Sequence, residues 1–192
     1  MLKSHATLPA IAVQLLLACV IPHAAAQPAS YPSAYAGQQT RGIKSLSVED
    51  VDDLLAGRGA GFAKAAELNG YPGPAHVLEL KDELQLSEAQ LAATQTLMAQ
   101  HRAAAQRLGK EVVEAERSLD QAFGGHTVDE AMVSRLTETV ARYQGELRAE
   151  HLKTHLAQTA LLTPHQVQRY AELRGYTKPE VAPVQPHRHH GE

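Results

Sequence analysis

The chain has 192 residues, 44% of them apolar, 4% aromatic and none Trp, with a formal charge of −3. This suits one globular domain with tails, whose core is built from Leu, Val and Ala and so favours closely packed helices. An acidic balance without a clustered basic face gives no footing for nucleic acid as a partner.

Residues 1–26 have the layout of a secretory signal peptide. Lys3 and His5 precede an apolar run from Leu8 to Val20, and Ala24-Ala25-Ala26 offers a small-residue cleavage site. The run is about 13 residues, short of the about 20 a membrane-spanning helix needs. Cleavage after Ala26 sends the mature chain to the periplasm. Two alternatives stay open: a lipoprotein anchored through Cys19, where Leu16-Leu17-Ala18-Cys19 is lipobox-like, or an uncleaved anchor. Cys19 is the only cysteine, so cleavage leaves no thiol for disulfides, catalysis or metal ligation.

Residues 27–46 read as a disordered leader, polar and punctuated by Pro28 and Pro32. Residues 47–73 read as short helices and Gly/Pro-rich turns. Ser47 is an N-cap with Glu49 and Asp50 in the first turn, predicting a helix at about 47–56. Phe62 to Leu68 predicts one or two further turns. The glycines at 57, 59, 61, 70 and 73 match no phosphate-loop spacing and read as turns.

Residues 74–176 carry the main helical domain. Pro74 opens a helix expected to reach Leu84, with Val77, Leu78, Leu80 and Leu84 at helical spacing. Ser87 and Gln90 form a capping box. From there Leu91, Thr94, Met98, His101, Ala105, Leu108, Val112, Ala115, Leu119 and Ala122 alternate by three and four. The result is a rod of about 37 residues, or about 55 Å, in which Gly109 costs roughly 1 kcal/mol relative to Ala. A rod this long bends or is covered by a second chain. Gly124-Gly125 ends it. Thr127 with Glu130 predicts the next cap, and Val133, Leu136, Val140, Tyr143 and Leu147 continue the alternation to about Leu161. Thr163, Pro164 and Gln166 cap a last short helix that Gly175 stops. Residues 177–192 read as a disordered His/Pro-rich tail. The expected fold is all-α: an elongated helical hairpin of two long helices with short flanking helices, as an intertwined homodimer.

Leu86-Ser87-Glu88-Ala89-Gln90 and Leu162-Thr163-Pro164-His165-Gln166 both read Leu-Ser/Thr-x-x-Gln, and each opens a helix. The pair resembles the LTxxQ motifs of the Spy/CpxP family of periplasmic proteins. Leu86, Ser87, Gln90, Leu162, Thr163 and Gln166 are structural: the hydroxyl caps, the Gln reaches back and the Leu staples the turn. The resemblance implies a thin helical dimer that holds unfolded or stressed envelope proteins without ATP, or a partner of an envelope signalling protein. Some relatives bind zinc or sense nickel, cobalt or copper.

Eleven histidines are present. His151 and His155 stand at i and i+4 on the second rod, a spacing that can chelate one ion if another ligand approaches. His101 holds a seam position and His76 lies near the start of the domain. These four are the candidate metal ligands, for zinc, copper or nickel. Surface or half-buried helix histidines without metal are the competing reading, and the tail residues His187, His189 and His190 offer a third, loose mode. No nucleophile elbow or HExxH helix occurs, and the pairs Asp52-Asp53 and Glu114-Glu116 read as solvated helix faces, so the chain is not expected to be an enzyme. No cofactor is required by this reading.

Overall fold

The computed structural model describes residues 31–177. The segment read as a signal peptide and nearly all of the stretch read as a His/Pro-rich tail therefore lie outside the described residues. Residues 31–36 belong to a first unit and form a small turn in which the Ala36 N–H donates to the Ser33 carbonyl at 2.9 Å. From Gly37 the chain forms a second unit.

That unit is helical, with no strand among the described residues. A single 3-10 turn at Gln38–Thr40 precedes α1 (Val48–Ala56), α2 (Lys64–Glu67), α3 (Pro74–Glu79), α4 (Glu88–Gly124), α5 (Glu130–Leu161) and α6 (Pro164–Leu173). Helices α4 and α5, of 37 and 32 residues, form the hairpin. The alternation on α4 lies inward throughout: Thr94, His101, Ala105, Leu108, Val112 and Ala115 are buried, and Leu91, Met98, Leu119 and Ala122 half-buried.

Two apolar cores form along the hairpin. One unites Leu54 of α1 and Ile43 with Ala105, Leu108, Val112 and Val113 of α4 and Leu147 of α5. The other unites Val77, Leu84 and Tyr170, with Leu80, Leu86, Leu162 and Leu173 packed against them. Between them lies a belt of buried polar residues: Thr94 and His101 from α4, and His151, Thr154 and Gln158 from α5.

Several expectations are corrected. The stretch 37–46, expected within a disordered leader, is fastened to α4. Ile43 is buried, the Lys44 N–H and ammonium both donate to the Asp120 carboxylate at 3.1 Å, and Ser45 Oγ donates to Glu116 at 2.8 Å. An apolar anchor and two polar ties offset the ordering entropy that composition alone would leave unmet. Glu116 is consequently buried rather than solvated, and also accepts from Gln144 Nε2 at 3.3 Å. Helix α3 stops at Glu79 instead of Leu84, because the chain turns back through Gln85 at φ 51° and the Leu86 N–H bonds Lys81 O. Helix α5 is capped by Asp129, whose Oδ1 accepts from Met132 N–H at 2.7 Å, instead of by Thr127.

Gly109 does more than tolerate its helix. It is buried where α1 crosses α4, and a Cβ there would sit 2.0 Å from the Leu54 carbonyl oxygen. Only a hydrogen side chain lets the two backbones approach so closely. The cover that the seam demanded over its middle comes, in this chain, from its own residues 43–56.

Candidate functional site

The paired Leu-Ser/Thr-x-x-Gln segments do what their types predict, and also join each other. Ser87 and Thr163 each cap their helix, accepting from the N–H of Gln90 and of Gln166 at 3.2 Å. The two side-chain amides then meet. Gln90 Nε2 donates to Gln166 Oε1 and to Leu161 O, both at 2.8 Å, while Gln166 Nε2 donates to Gln90 Oε1 and to Leu84 O, both at 3.1 Å. Gln90 Oε1 also accepts from Ser87 N–H, and Gln166 Oε1 from Thr163 N–H. An amide offers two donor hydrogens and two acceptor lone pairs, and here every one is used. The pair is a clasp holding the start of α4 to the start of α6, with Leu86 and Leu162 seated in the apolar core beside it. Its chemistry is spent internally, which makes it structural.

The polar belt is different. His101 Nδ1 lies 3.2 Å from Glu150 Oε1 and 3.0 Å from Thr154 Oγ1, and the Thr154 hydroxyl donates to the same carboxylate at 3.3 Å. One turn along α5, the His151 ring meets His101 edge-on at 4.6 Å between centroids and stacks on Phe62 at 5.7 Å. His151 is 3% exposed, and its Nε2 has no partner. Burial, and then the neighbouring His101, push its pKa down to about 4, so the ring is neutral at neutral pH.

His155 turns elsewhere. Its Nδ1–H donates to the Tyr71 carbonyl at 2.8 Å, with Glu67 Oε2 3.6 Å from the same nitrogen. Gly73 makes room for this ring, since a Cβ there would come within 2.6 Å of it. Glu67 Oε1 accepts from the Tyr170 and Tyr176 hydroxyls, with Arg174 Nε 3.8 Å away, while its Oε2 is buried and without a hydrogen bond. Burial, and then that carboxylate, raise the pKa of the Tyr170 hydroxyl and keep it protonated.

A cavity of about 790 Å³ opens at the belt, walled by the segment Ala56–Gly61, α2, the start of α3, and α4 and α5. Of the four candidate metal ligands, His101 and His151 meet, His155 lies one turn further along α5, and His76 stands on α3 with its Nδ1 2.9 Å from Glu79. All four line this cavity. They do not converge: among the described residues no group of three His, Cys, Asp or Glu is placed to hold an ion. The sequence reading missed Glu67, Glu150 and Thr154. Glu150 and Thr154, four apart beside His151, carried a helical-face signal. Glu67, 84 positions before His151's face begins to matter and outside the hairpin, carried none.

No curated protein and no solved structure matches the chain. The family described as LTXXQ motif family protein matches residues 75–174, more than half of the sequence and both clasp segments. The chain belongs to the LTXXQ motif family.

Proposed function

We propose that this is a periplasmic Spy/CpxP-like stress protein that binds unfolded envelope proteins without ATP, working as a homodimer and without enzymatic activity. The observation that supports the reading is the family match over 75–174 together with both motif copies built as one clasp. The leader read in residues 1–26 supports export, with cleavage after Ala26 ahead of a lipid anchor on Cys19. Exposed apolar side chains, Leu55, Leu68, Phe123 and Leu156, give contact points for a client or a second copy. The test is aggregation of a chemically denatured client diluted into buffer with the mature chain. Suppression at one dimer per client is expected, and unchanged light scattering at that ratio overturns the reading.

A second reading, binding of zinc, copper or nickel, draws on His151 Nε2 and Glu67 Oε2, two buried atoms that make no hydrogen bond, in residues that line the cavity with His155. Calorimetry on a chain lacking residues 178–192 tests it. Affinity that survives His151→Ala with His155→Ala removes this version.

A further inference from the structure

The cavity's front wall is not part of the family match. Residues 56–67 and the residues Gly73 and Pro74 precede residue 75, where the match begins. The hairpin belongs to the family, and this chain's own N-terminal segment closes a space against it. A volume of about 790 Å³ lies within the roughly 300–1,000 Å³ of small-molecule sites. The wall segment Gly57-Arg58-Gly59-Ala60-Gly61 contributes little side-chain bulk to fill it. Ala60 holds φ 39°, a left-handed backbone that costs a non-glycine residue energy and recurs at ligand sites.

Three features of the lining define an occupant. First, Lys64 and Arg102 are exposed cations that form no ion pair among the described residues, whereas Arg58 is engaged by Asp53 and Glu67 is balanced by Arg174, His155 and two tyrosine hydroxyls. The cavity therefore has uncommitted positive charge at its rim. Second, His151 is buried in the wall with an Nε2 lacking any partner. Third, the imidazoles of His76, His101, His151 and His155 and the thioether of Met98 line the space between, surfaces that suit a flat ring.

We propose that this cavity binds a hydroxylated aromatic carboxylate, its acid group at Lys64 and Arg102, its ring against His101 and Met98, and its hydroxyl bonded to His151 Nε2. An imidazole nitrogen without a partner can accept from a phenol or, carrying its proton, donate to it. The inference does not depend on client binding, and a chain that suppresses no aggregation can still bind the acid.

The test uses the full mature chain in EDTA-containing buffer, so that no ion takes part. Calorimetry is run with 4′-hydroxybiphenyl-4-carboxylate, with biphenyl-4-carboxylate, which lacks the hydroxyl, and with 4-phenylphenol, which lacks the acid. The parent is expected to bind once per chain with sub-millimolar affinity, a scale set by about 0.3 kcal/mol per heavy atom. Loss of the acid is expected to weaken binding about tenfold and loss of the hydroxyl about fivefold. Lys64→Gln with Arg102→Gln changes only exposed side chains, and should bring the parent down to the affinity of 4-phenylphenol. His151→Leu should abolish the preference for the hydroxyl. No binding, equal affinities across the three compounds, or an unchanged affinity in the Lys64→Gln, Arg102→Gln chain overturns the proposal, and the last outcome is readable even if His151→Leu fails to fold.

Discussion

The helical unit carries two polar clusters with opposite properties, one joining α4 to α6 and one between α4, α5 and α2. At the motif end, Gln90 and Gln166 use every hydrogen-bonding position of their amides on each other and on nearby backbone. One layer inward, Gln158 donates to Thr94 but its Oε1 has no partner, and beyond that His151 Nε2 and Glu67 Oε2 are also left over. Buried polar atoms are nearly always satisfied, because each one left bare costs about 1–3 kcal/mol. A complete network specifies a fold, and an incomplete one beside a cavity leaves bonding capacity unspent, which is what the proposed ligand readings draw on. The motif that identifies the family is thus the less reactive of the two clusters.

The contrast can be broken most directly at the clasp. Gln166→Ala strips a side-chain donor from Leu84 O and unmakes half of the Gln90 network. We expect a loss of about 3 kcal/mol, or roughly 6–12 °C in Tm for a chain of this size, read by thermal or urea denaturation. A double-mutant cycle with Gln90→Ala should show coupling of about 1 kcal/mol or more. Strictly additive effects would mean that the two amides act only as separate caps.

The histidine belt should reveal itself through pH. Unfolded His151 titrates near 6.5 and the folded residue near 4, so between these values the unfolded chain binds the extra proton. Its contribution to stability is complete above pH 6.5, falls as the pH falls, and is gone below about 4, a change of roughly 3 kcal/mol. Urea midpoints measured across this window should drop more steeply in the native chain than in His151→Leu. Equal slopes in the two would take His151 out of the account.

How much of this was legible follows from what each feature depends on. The rods, their seam and both motif caps depend on residues three or four apart, and the sequence displays such spacing openly. The clasp joins residues 76 positions apart, and no periodicity announces that two capping amides will face each other. His101 was legible as a seam position and His151 as one of an i, i+4 pair with His155, while Glu67 came to the site only because α2 folds back onto α5. Ile43 was hidden by a polar surrounding, and that buried anchor with the ties from Lys44 and Ser45 orders the stretch. Gly109 shows the same limit. As sequence it is a helix weakness of roughly 1 kcal/mol, and as structure it is the point where α1 can touch α4. Gly109→Ala tests which description wins. Propensity favours the alanine, but the clash with Leu54 O should dominate, for a net loss of about 2 kcal/mol by denaturation. A stabilised variant would show that α1 is not seated there and that the cavity lacks its wall.

The smallest expected effect isolates what a cap is worth without a partner across the fold. Asp129 holds the start of α5 through one bond to Met132 N–H and faces no second cap. Asp129→Ala should therefore cost about 1 kcal/mol, the ordinary value of an N-cap, and Thr127→Ala, which removes an exposed hydroxyl outside the helix, should cost close to nothing. The reverse order would restore Thr127 as the cap. If Asp129→Ala cost as much as Gln166→Ala, the excess assigned to the joined amides would vanish, because an isolated cap would account for the whole effect. A cost near one third of that value leaves the remainder to the bonds between Gln90 and Gln166, which makes the clasp, and not helix capping alone, the reason both motif copies occur together.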